Sequence, residues 1–184
     1  MKKGSYVVIS GPSGVGKDTV AARLGGWISV SATTRPMRPG DEEGVTYFFH
    51  TREEFEKMIA EGELLEYATY GGNYYGTPKT PARTHYENGD LVIFVIEVAG
   101  AAQVKAQFPE ATRIFLAPPS WEILRSRLEG RGTDSPEKIE ERMEIAKKEM
   151  EIGRREYDYV VVNDDLEETI RKIENIIEES KGRD

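Results

Sequence analysis

Residues 11–17 read Gly11-Pro12-Ser13-Gly14-Val15-Gly16-Lys17. They follow Tyr6–Ser10, a short run rich in β-branched residues that predicts a buried strand. They lead into residues 17–24, whose pattern predicts a helix that ends at Gly25. A GxxxxGK sequence between a strand and a helix is a P-loop. Its glycines let backbone amides turn towards phosphate oxygens and its lysine reaches the terminal phosphates, so the segment predicts nucleotide binding.

The position after the P-loop lysine departs from the usual pattern. Ser or Thr normally stands there and binds magnesium through its hydroxyl, but this chain has Asp18, with Thr19 behind it. A carboxylate beside phosphates is unfavourable unless a cation lies between them or the side chain points away. Thr19 is available to bond a phosphate, and Asp18 is the candidate metal ligand.

The rest of the chain alternates between strand and helix patterns. Strands are predicted at 91–97, 113–116 and 159–162, and helices at 100–108, at 121–129, after the Ser135-Pro136 cap, and at 166–177. This alternation predicts an α/β fold, the three-layer α/β/α arrangement of P-loop NTPases with a parallel central sheet and a mixed α+β insertion. The polar, glycine-containing segment at 130–134 interrupts the alternation and is the candidate for a short mobile lid. We assign the core to residues 1–31 and 89–184, the lid to about 127–142, and the insertion to 32–88.

The insertion has a pattern of its own. Short strands are predicted at 47–49, 64–70 and 73–76, and another strand at 28–31 leads into them. Thr51 and Glu54 have the spacing of a capping box, in which each side chain accepts a hydrogen bond from the backbone of the other, so a helix is predicted from about 52 to 61.

The composition argues against several classes of function. A formal net charge of −8 disfavours general binding to nucleic acid or to anionic membranes, which needs a positive surface. With no cysteine and only two histidines, the chain offers no disulfide, no thiolate metal site and little basis for a serine–histidine triad. The apolar run near the N-terminus is too short for a signal peptide or a membrane span. We therefore expect a cytoplasmic location, and a phosphate site must come from a local cluster of Arg and Lys.

A second candidate anion site lies in residues 31–40, Ser31-Ala32-Thr33-Thr34-Arg35-Pro36-Met37-Arg38-Pro39-Gly40. Its two guanidiniums stand three residues apart in a loop stiffened by prolines. Arginine forks bind phosphate oxygens in pairs, and a stiff loop loses little entropy in placing them. Taken alone, a solvated basic loop is the more common explanation, so the neighbouring segments decide the matter.

Those segments add Tyr47, Glu66 and the run Gly72-Asn73-Tyr74-Tyr75-Gly76-Thr77. With these segments, the P-loop and the arginine loop, the chain resembles the guanylate kinase family from about residue 6 to residue 165. The recurring features of that family are a GPSGxGK P-loop, a TTRxxRxGE-type segment, an acid in a short LxE stretch, and GNYYGT, in this order. The resemblance implies transfer of a phosphoryl group from ATP, with Mg²⁺, to GMP.

The resemblance also implies how GMP is held. Guanine shows two adjacent donors that one carboxylate can accept together, whereas adenine would leave that carboxylate unpaired, and an unsatisfied desolvated group produces strong discrimination. The residues assigned by resemblance to the phosphate of GMP are Arg35, Arg38, Tyr47 and Tyr75, and those assigned to its base are Ser31, Glu66, Thr77 and Glu97.

The chain departs from the family in the run Phe94-Val95-Ile96-Glu97-Val98-Ala99-Gly100. The family usually has an acid at the position of Val95, often associated with magnesium, and a glutamine at that of Ala99. Glu97 keeps the second acid of the run. We hypothesise that Asp18 supplies part of the negative charge that Val95 lacks.

The segment Glu129-Gly130-Arg131-Gly132-Thr133-Asp134 resembles the lid that covers ATP in the family. Glycines permit motion, and arginines can meet the charge that spreads over the transferring phosphoryl group. No protein base is required, since the attacking oxygen of GMP is already ionised. The candidates for catalysis are Lys17, Arg35, Arg131 and Arg142, and those for ATP binding are residues 11–19, Arg127, Arg131 and Asn163.

ATP and GMP are the expected partners, with no nucleic acid and no membrane, in a monomer or a homodimer. Two other functions stay open. A ribose bisphosphate phosphokinase is a related enzyme whose P-loop can carry Asp after the lysine, although Glu66, Tyr75 and Thr77 suit a guanine base better than a bare sugar phosphate. The other is a catalytically silent guanylate-kinase-like module that binds phosphorylated peptides, but such modules usually have a degraded P-loop, and this P-loop is intact.

Overall fold

The computed structural model describes residues 3–181, which form nine strands and seven helices. In chain order these are β1 (Ser5–Ser10), α1 (Lys17–Arg23), β2 (Trp27–Ile28), β3 (Ala32–Thr33), β4 (Phe48–Phe49), α2 (Arg52–Ala60), β5 (Leu64–Tyr70), β6 (Asn73–Pro78), α3 (Lys79–Glu87), β7 (Leu91–Val95), α4 (Val98–Gln107), β8 (Thr112–Ala117), α5 (Trp121–Gly130), α6 (Pro136–Glu156), β9 (Tyr159–Val162) and α7 (Leu166–Lys181). Within this described range, no helix is both long and apolar enough to cross a membrane.

Strand β1 lies at the centre of a five-stranded sheet with the order β2-β7-β1-β8-β9. Every pairing in this sheet is parallel, so the carboxyl ends of its strands lie at one edge. Val7, Val8 and Ile9 are fully buried because helices cover both faces of the strand. The parallel α/β fold is confirmed, and the segment 11–17 begins at the carboxyl edge of its central strand.

Side chains of β1 alternate between two apolar clusters. Val7 and Ile9 pack against α1 and α7 on one face of the sheet. Tyr6 faces α3 and α4 on the other, where its ring stacks between Tyr86 and Phe108 at centroid distances of 4.2 and 4.3 Å. The sheet is therefore the middle layer of three, as the alternating pattern of the sequence predicts.

Residues 32–78 contain a second, four-stranded sheet with the order β4-β3-β6-β5. Strands β5 and β6 form an antiparallel hairpin whose register is irregular between Leu64 and Glu66. Helix α2 packs on this sheet through Phe55, which is fully buried. The predicted capping box is confirmed at its start: Glu54 N donates to Thr51 Oγ1 at 3.2 Å, and Thr51 N donates to Glu54 Oε2 at 2.7 Å.

Helix α3 is an element that the sequence pattern does not predict. Its start contains Pro78 and Pro81, which break the usual helical pattern. Both prolines nevertheless stand at the beginning of the helix, where backbone amides have no partner in the preceding turn and a missing N–H costs little. Ala82 then packs into the core cluster beside Tyr6, so tertiary contact stabilises a helix of weak local propensity.

The predicted strand at 28–31 is wrong in its bounds. The chain pairs with β7 as β2, crosses between the sheets, and enters the second sheet as β3. Ser29 N still donates to the backbone of β7 at 2.8 Å, whereas Ser31 O accepts from Phe48 N at 2.9 Å. An extended run gives no local signal of the point at which it passes from one sheet to the next.

Helix α6 packs closely on β8 through a glycine. A Cβ on Gly153 would lie 2.5 Å from Cγ of Phe115, whose side chain is fully buried. At the other end of the helix, Ser135 accepts from Lys138 N at 3.2 Å and Pro136 stands in the first turn, as the sequence predicts. The position of α6 is thus fixed at both ends.

The substitution Gly153→Ala is expected to destabilise the fold by about 1–3 kcal/mol, because the added methyl group must displace the ring of Phe115. Gly130→Ala is the matched control, since a Cβ at Gly130 meets nothing within 4 Å. There alanine is expected to be neutral or stabilising by up to about 1 kcal/mol. Urea unfolding measures both free energies, and an equal effect of the two substitutions would contradict the close packing of α6 on β8.

Candidate active site

The loop from Gly11 to Gly16 joins the carboxyl end of β1 to α1, which begins at Lys17. Gly14 and Gly16 have φ angles of 86° and 99°, which L side chains rarely adopt. Gly11 is needed for space, because a Cβ there would lie 2.5 Å from the carbonyl oxygen of Leu116 in β8. The backbone conformation of the loop therefore requires the glycines that the P-loop motif contains.

Lys17 folds back over this loop. Its Nζ donates to Gly11 O at 2.6 Å and to Pro12 O at 3.2 Å. The side chain lines a cavity of about 400 Å³, which we call the phosphate cavity. The side chains and loop residues that line it with Lys17 come from the P-loop, the end of β7 and one face of α6: Gly11, Ser13, Asp18, Val95, Ile96, Glu97, Arg142, Ile145 and Glu149.

Charges around Lys17 oppose the effect of its burial. Burial lowers the pKa of Lys17, whereas the carboxylates of Glu149, Asp18 and Glu97, in that order, raise it; the charge of Arg131 lowers it further. For Glu149, burial raises the pKa and the charge of Lys17 lowers it. Each of the two charges thus favours the ionised form of the other.

Asn163 and Arg127, both predicted to contact ATP, lie against the back of the P-loop. Asn163 is buried, and its Nδ2 donates to Val15 O at 2.8 Å. Arg127 approaches the same carbonyl oxygen and Asn163 O, each at 3.5 Å. A Cβ on Gly16 would lie 2.8 Å from that Nδ2. These side chains hold the backbone of the loop, and contact with a nucleotide stays a prediction.

The two lid arginines predicted for catalysis lie in different surroundings. Arg142 reaches the P-loop, where its Nη1 donates to Ser13 Oγ at 2.8 Å. Its Nε lies 2.8 Å from Asp134 Oδ2. Arg131 is exposed at the end of α5. The structure therefore brings Arg142 into the phosphate cavity and leaves Arg131 at its margin.

The metal-ligand prediction for Asp18 is not tested by these contacts. Asp18 lines the phosphate cavity as an exposed side chain, and Thr19 is exposed one residue further along α1. Among residues 3–181, no group of three or more His, Cys, Asp or Glu side chains is arranged to hold a metal ion. A magnesium ion in this cavity would therefore take most of its ligands from phosphates and water, as this metal commonly does.

A second cavity, of about 490 Å³, lies between the β5–β6 hairpin and the start of α4. We call it the base cavity. Ser31, Glu66, Tyr75 and Glu97 all line it. Thr77 does not line it but is almost fully buried next to Glu66, and its Oγ1 donates to Glu66 Oε1 at 2.6 Å. The residues that the resemblance assigns to the base are thus adjacent in space although they are distant in sequence.

The carboxylate of Glu66 is closely surrounded. It follows the irregular register in β5, a feature that commonly redirects a side chain. A Cβ on Gly100 in α4 would lie 3.3 Å from Glu66 Oε2, so a larger residue there would press on the carboxylate. Burial raises the pKa of Glu66, the hydrogen bond from Thr77 lowers it, and the charge of Glu97 raises it.

Arg35 is held by charge and by aromatic rings. Its Nη2 lies 3.0 Å from Asp41 Oδ2, and both side chains are only 11% exposed. Its guanidinium lies 5.3 Å from the ring centre of Tyr47 and 5.7 Å from that of Phe49. Tyr47 meets Tyr75 edge-on, with 5.9 Å between centroids. Three of the residues predicted for the phosphate of GMP are therefore brought together.

Arg38, the fourth residue of that set, meets this cluster through its backbone. Its N donates to Asp41 Oδ2 at 2.8 Å, while its side chain is exposed. This N–H first, and then Arg35, hold the pKa of Asp41 below its usual range. Asp41 thus fixes both arginine positions, the one through its side chain and the other through its backbone.

The two cavities meet just after β7. Ile96 and Glu97 line both of them. The backbone of this junction is tied to β1, because Ser10 Oγ donates to Ile96 O at 2.7 Å and Ile96 N donates to Ile9 O at 3.2 Å. Ligands in the two cavities would therefore contact the same short, fixed stretch of chain.

The sequence pattern assigns no role to Glu149 or Asp41 and includes Asp134 only as the last residue of the lid segment, although each of the three contacts or faces a candidate residue. Glu149 stands seven residues after Arg142 on α6, so helical periodicity could have placed it on the same face. Asp134 and Asp41 lie in polar loops, where an acid near an arginine usually indicates only a solvated pair. Their burial comes from tertiary packing, which local sequence does not reveal.

Similarities to known proteins extend over nearly all of the chain. The family model for guanylate kinase matches residues 3–180. The guanylate kinase of Streptococcus agalactiae is 51% identical over 183 residues, covering 96% of this chain and 87% of that protein. The guanylate kinase of Parasynechococcus marenigrum is 48% identical over 179 residues, covering 95% and 98%. The crystal structure of a guanylate kinase from Anaplasma phagocytophilum has a TM-score of 0.73 and 36% identity, covering 98% of this chain and 87% of that one.

The substitution Glu149→Gln is expected to lower the pH at which ATP binding is lost on the alkaline side. Glu149 is the strongest of the carboxylates that favour charged Lys17, so its neutralisation lowers the pKa of Lys17. Asp18, Glu97 and Arg131 still act on the lysine, so the shift is partial. Calorimetric titration with ATP between about pH 7 and pH 10 measures the midpoint of the loss.

Glu151→Gln serves as the control, because Glu151 is an exposed carboxylate on the same helix. It is expected to leave the alkaline midpoint where the unsubstituted chain has it. If Glu149→Gln leaves the midpoint unchanged as well, Glu149 does not support the charge of Lys17.

Proposed function

The chain belongs to the guanylate kinase family, and we propose that it transfers the terminal phosphoryl group of ATP to GMP, reversibly, giving ADP and GDP. As a nucleoside monophosphate kinase it needs two phosphate-binding regions that lie next to each other. Support comes from the phosphate cavity, which contains the P-loop, and from the cluster of Arg35, Tyr47 and Tyr75, whose Tyr75 lines the adjoining base cavity.

The observation that carries the proposal is the junction of the two cavities. Glu97 lines both, so an acceptor in the base cavity and a donor on the P-loop would be separated by one fixed turn of backbone. Phosphoryl transfer depends mainly on alignment and charge neutralisation. A junction tied to β1 by two hydrogen bonds supports the required alignment.

The base cavity supports guanine as the recognised base. Glu66 offers carboxylate oxygens, one of which already accepts from Thr77. The ring N–H and exocyclic amine of guanine would donate to this carboxylate, and adenine has no ring N–H to present there. Because Glu66 is half-enclosed and its pKa is raised by burial, leaving it unpaired would be costly.

The transfer itself needs little covalent chemistry from the protein. An oxygen of the GMP phosphate attacks the γ-phosphorus of ATP, a new P–O bond forms, and the bond to the β–γ bridging oxygen breaks as ADP leaves. Lys17 and Arg142 supply positive charge on the donor side, Arg131 adds to it when the lid closes, and Arg35 holds the acceptor phosphate. Lid closure also excludes water, which could otherwise accept the phosphoryl group.

Magnesium is the metal that we propose to accompany ATP. Oxygen ligands suit this ion, and Asp18, Glu97 and Glu149 bring carboxylate oxygens to the phosphate cavity. Asp18 is the residue that would hold it, directly or through water. Bound there, the ion would neutralise phosphate charge that Lys17 and the arginines do not.

The other two functions are not favoured. The guanylate kinase family model and the guanylate kinase relatives match nearly the whole chain, and the P-loop motif is intact, with Gly14 and Gly16 at positive φ angles. A cytoplasmic location, the absence of nucleic-acid and membrane partners, and a monomer or homodimer stay predictions.

The decisive assay offers GMP, dGMP, AMP, UMP and ribose bisphosphate separately, with ATP and magnesium, and follows ADP formation. We expect a marked preference for GMP. Glu66→Gln is expected to reduce kcat/KM for GMP by about 10²-fold or more, because the amide presents a donor to a donor edge of guanine. The same substitution should change the slow rate with AMP far less.

Glu53→Gln is the control for this substitution, because Glu53 is an exposed carboxylate of α2 in the same region of the chain. It should leave the acceptor preference unchanged. Turnover of ribose bisphosphate in preference to GMP, or no turnover of any acceptor, would contradict the proposed function.

Asp18→Ser tests the role of Asp18 in handling magnesium. If Asp18 supplies charge that Val95 lacks, the serine variant should need more magnesium to reach half-maximal rate, by about threefold or more. Initial rates against free magnesium concentration give this value for both proteins. An unchanged metal dependence rejects the hypothesis.

A further inference from the structure

Asp134 and Arg142 form an ion pair at the edge of the phosphate cavity. Asp134 Oδ2 lies 2.8 Å from Arg142 Nε, in a contact between opposite charges whose N–H is not aligned for a hydrogen bond, and the side chain of Asp134 is only 15% exposed. Ion pairs between fully exposed side chains contribute little and hold no fixed geometry. This pair is shielded on its acidic side, so Asp134 can set the orientation of the guanidinium.

The rest of the guanidinium is turned towards the P-loop. Arg142 Nη1 donates to Ser13 Oγ at 2.8 Å, and Arg142 lines the phosphate cavity together with Lys17. A guanidinium is a rigid plane, so the hydrogen bond made by Nη1 and the carboxylate close to Nε together restrict its direction, although Nε itself makes no hydrogen bond. Asp134 on one side and Ser13 on another thus hold the plane at the wall of the cavity.

The backbone keeps Asp134 in place. Residues 131–135 alone link α5 to α6, and both helices are anchored beside this link by Leu128 and Ile139, which are buried in one apolar cluster. Asp134 directly precedes Ser135, whose Oγ accepts from Lys138 N at 3.2 Å as the cap of α6. Asp134, next to this cap, therefore has little freedom to move relative to α6, the helix that carries Arg142.

We propose that Asp134 is a positioning residue for phosphoryl transfer, holding Arg142 so that its guanidinium meets the transferring phosphoryl group. This inference rests on the proposed function. Charge that is already oriented needs no reorganisation as negative charge spreads over the phosphoryl group, and such preorganisation is a large part of catalysis in this chemistry. Without the carboxylate, Arg142 keeps its charge but loses its fixed orientation.

The test is a double-mutant cycle of Asp134→Asn and Arg142→Ala. Alone, Asp134→Asn is expected to lower kcat by about 10- to 100-fold, with KM for GMP within about twofold of the unsubstituted enzyme, since GMP lies in the other cavity. In the Arg142→Ala background it should change kcat by less than about twofold. A loss of the same factor in both backgrounds would falsify the proposal.

Two further variants separate positioning from general damage. Asp134→Glu keeps the charge and should have a kcat nearer that of the unsubstituted enzyme than Asp134→Asn has; equal values for the two would overturn the role of the charge. Glu140→Gln is the matched control, because Glu140 pairs with Arg125 at 2.5 Å across the same two helices, outside the lining of the phosphate cavity. It should leave kcat unchanged, and an equal loss there would also overturn the proposal.

The same cycle is measured in the Kd for ATP with magnesium, where Asp134→Asn is expected to weaken binding about threefold only when Arg142 is present. The Kd measurement separates the test of the role of Asp134 from the test of the proposed function. An unsubstituted chain that binds ATP but does not phosphorylate GMP overturns the proposed function, and the cycle in Kd still decides whether Asp134 acts through Arg142.

Discussion

The ammonium of Lys17 is held against the carbonyl oxygens of Gly11 and Pro12, in a cavity that removes much of its hydration. Burial lowers the pKa of Lys17, and the carboxylates of Glu149, Asp18 and Glu97 offset part of that effect. Glu149 on α6 and Glu97 after β7 belong to different elements, and both are positioned by packing on the central sheet. The phosphate site is therefore a property of the whole three-layer core, although its motif occupies seven residues of sequence.

The junction after β7 joins this charge to the second cavity. Glu97 acts on the pKa of Lys17 from one side and on that of Glu66 from the other. The same backbone turn is bonded to β1 through Ser10, so its position is set by the most buried strand of the fold. The two cavities consequently share one short stretch of backbone, whereas Arg131 and Arg35 belong to segments that we assign to the lid and to the insertion.

The sequence predicts the P-loop, the parallel sheet and the capping box because each depends on local periodicity and on backbone needs that glycine, serine or threonine reveal. It does not predict α3, because the prolines at the start of this helix lower its local helix propensity and burial of Ala82 stabilises it instead. It also misses the crossing at Ser29 and the acids Glu149, Asp134 and Asp41, because their significance comes from elements that meet only in the folded chain. The assignment of residues to GMP rests on the resemblance to the family. The structure adds a hydrogen bond from Thr77 to Glu66, two of the residues assigned to the base.

The proposed reaction requires the phosphate cavity to hold ATP and the base cavity to hold GMP on either side of Glu97. A crystal structure with GMP, magnesium and a non-hydrolysable ATP analogue tests it most directly. We expect guanine to lie against Glu66 and Thr77, the triphosphate to lie along the P-loop, and an oxygen of the GMP phosphate to lie roughly 3–3.5 Å from the terminal phosphorus. Guanine bound outside the base cavity, or phosphates too far apart to react in a closed complex, would contradict it.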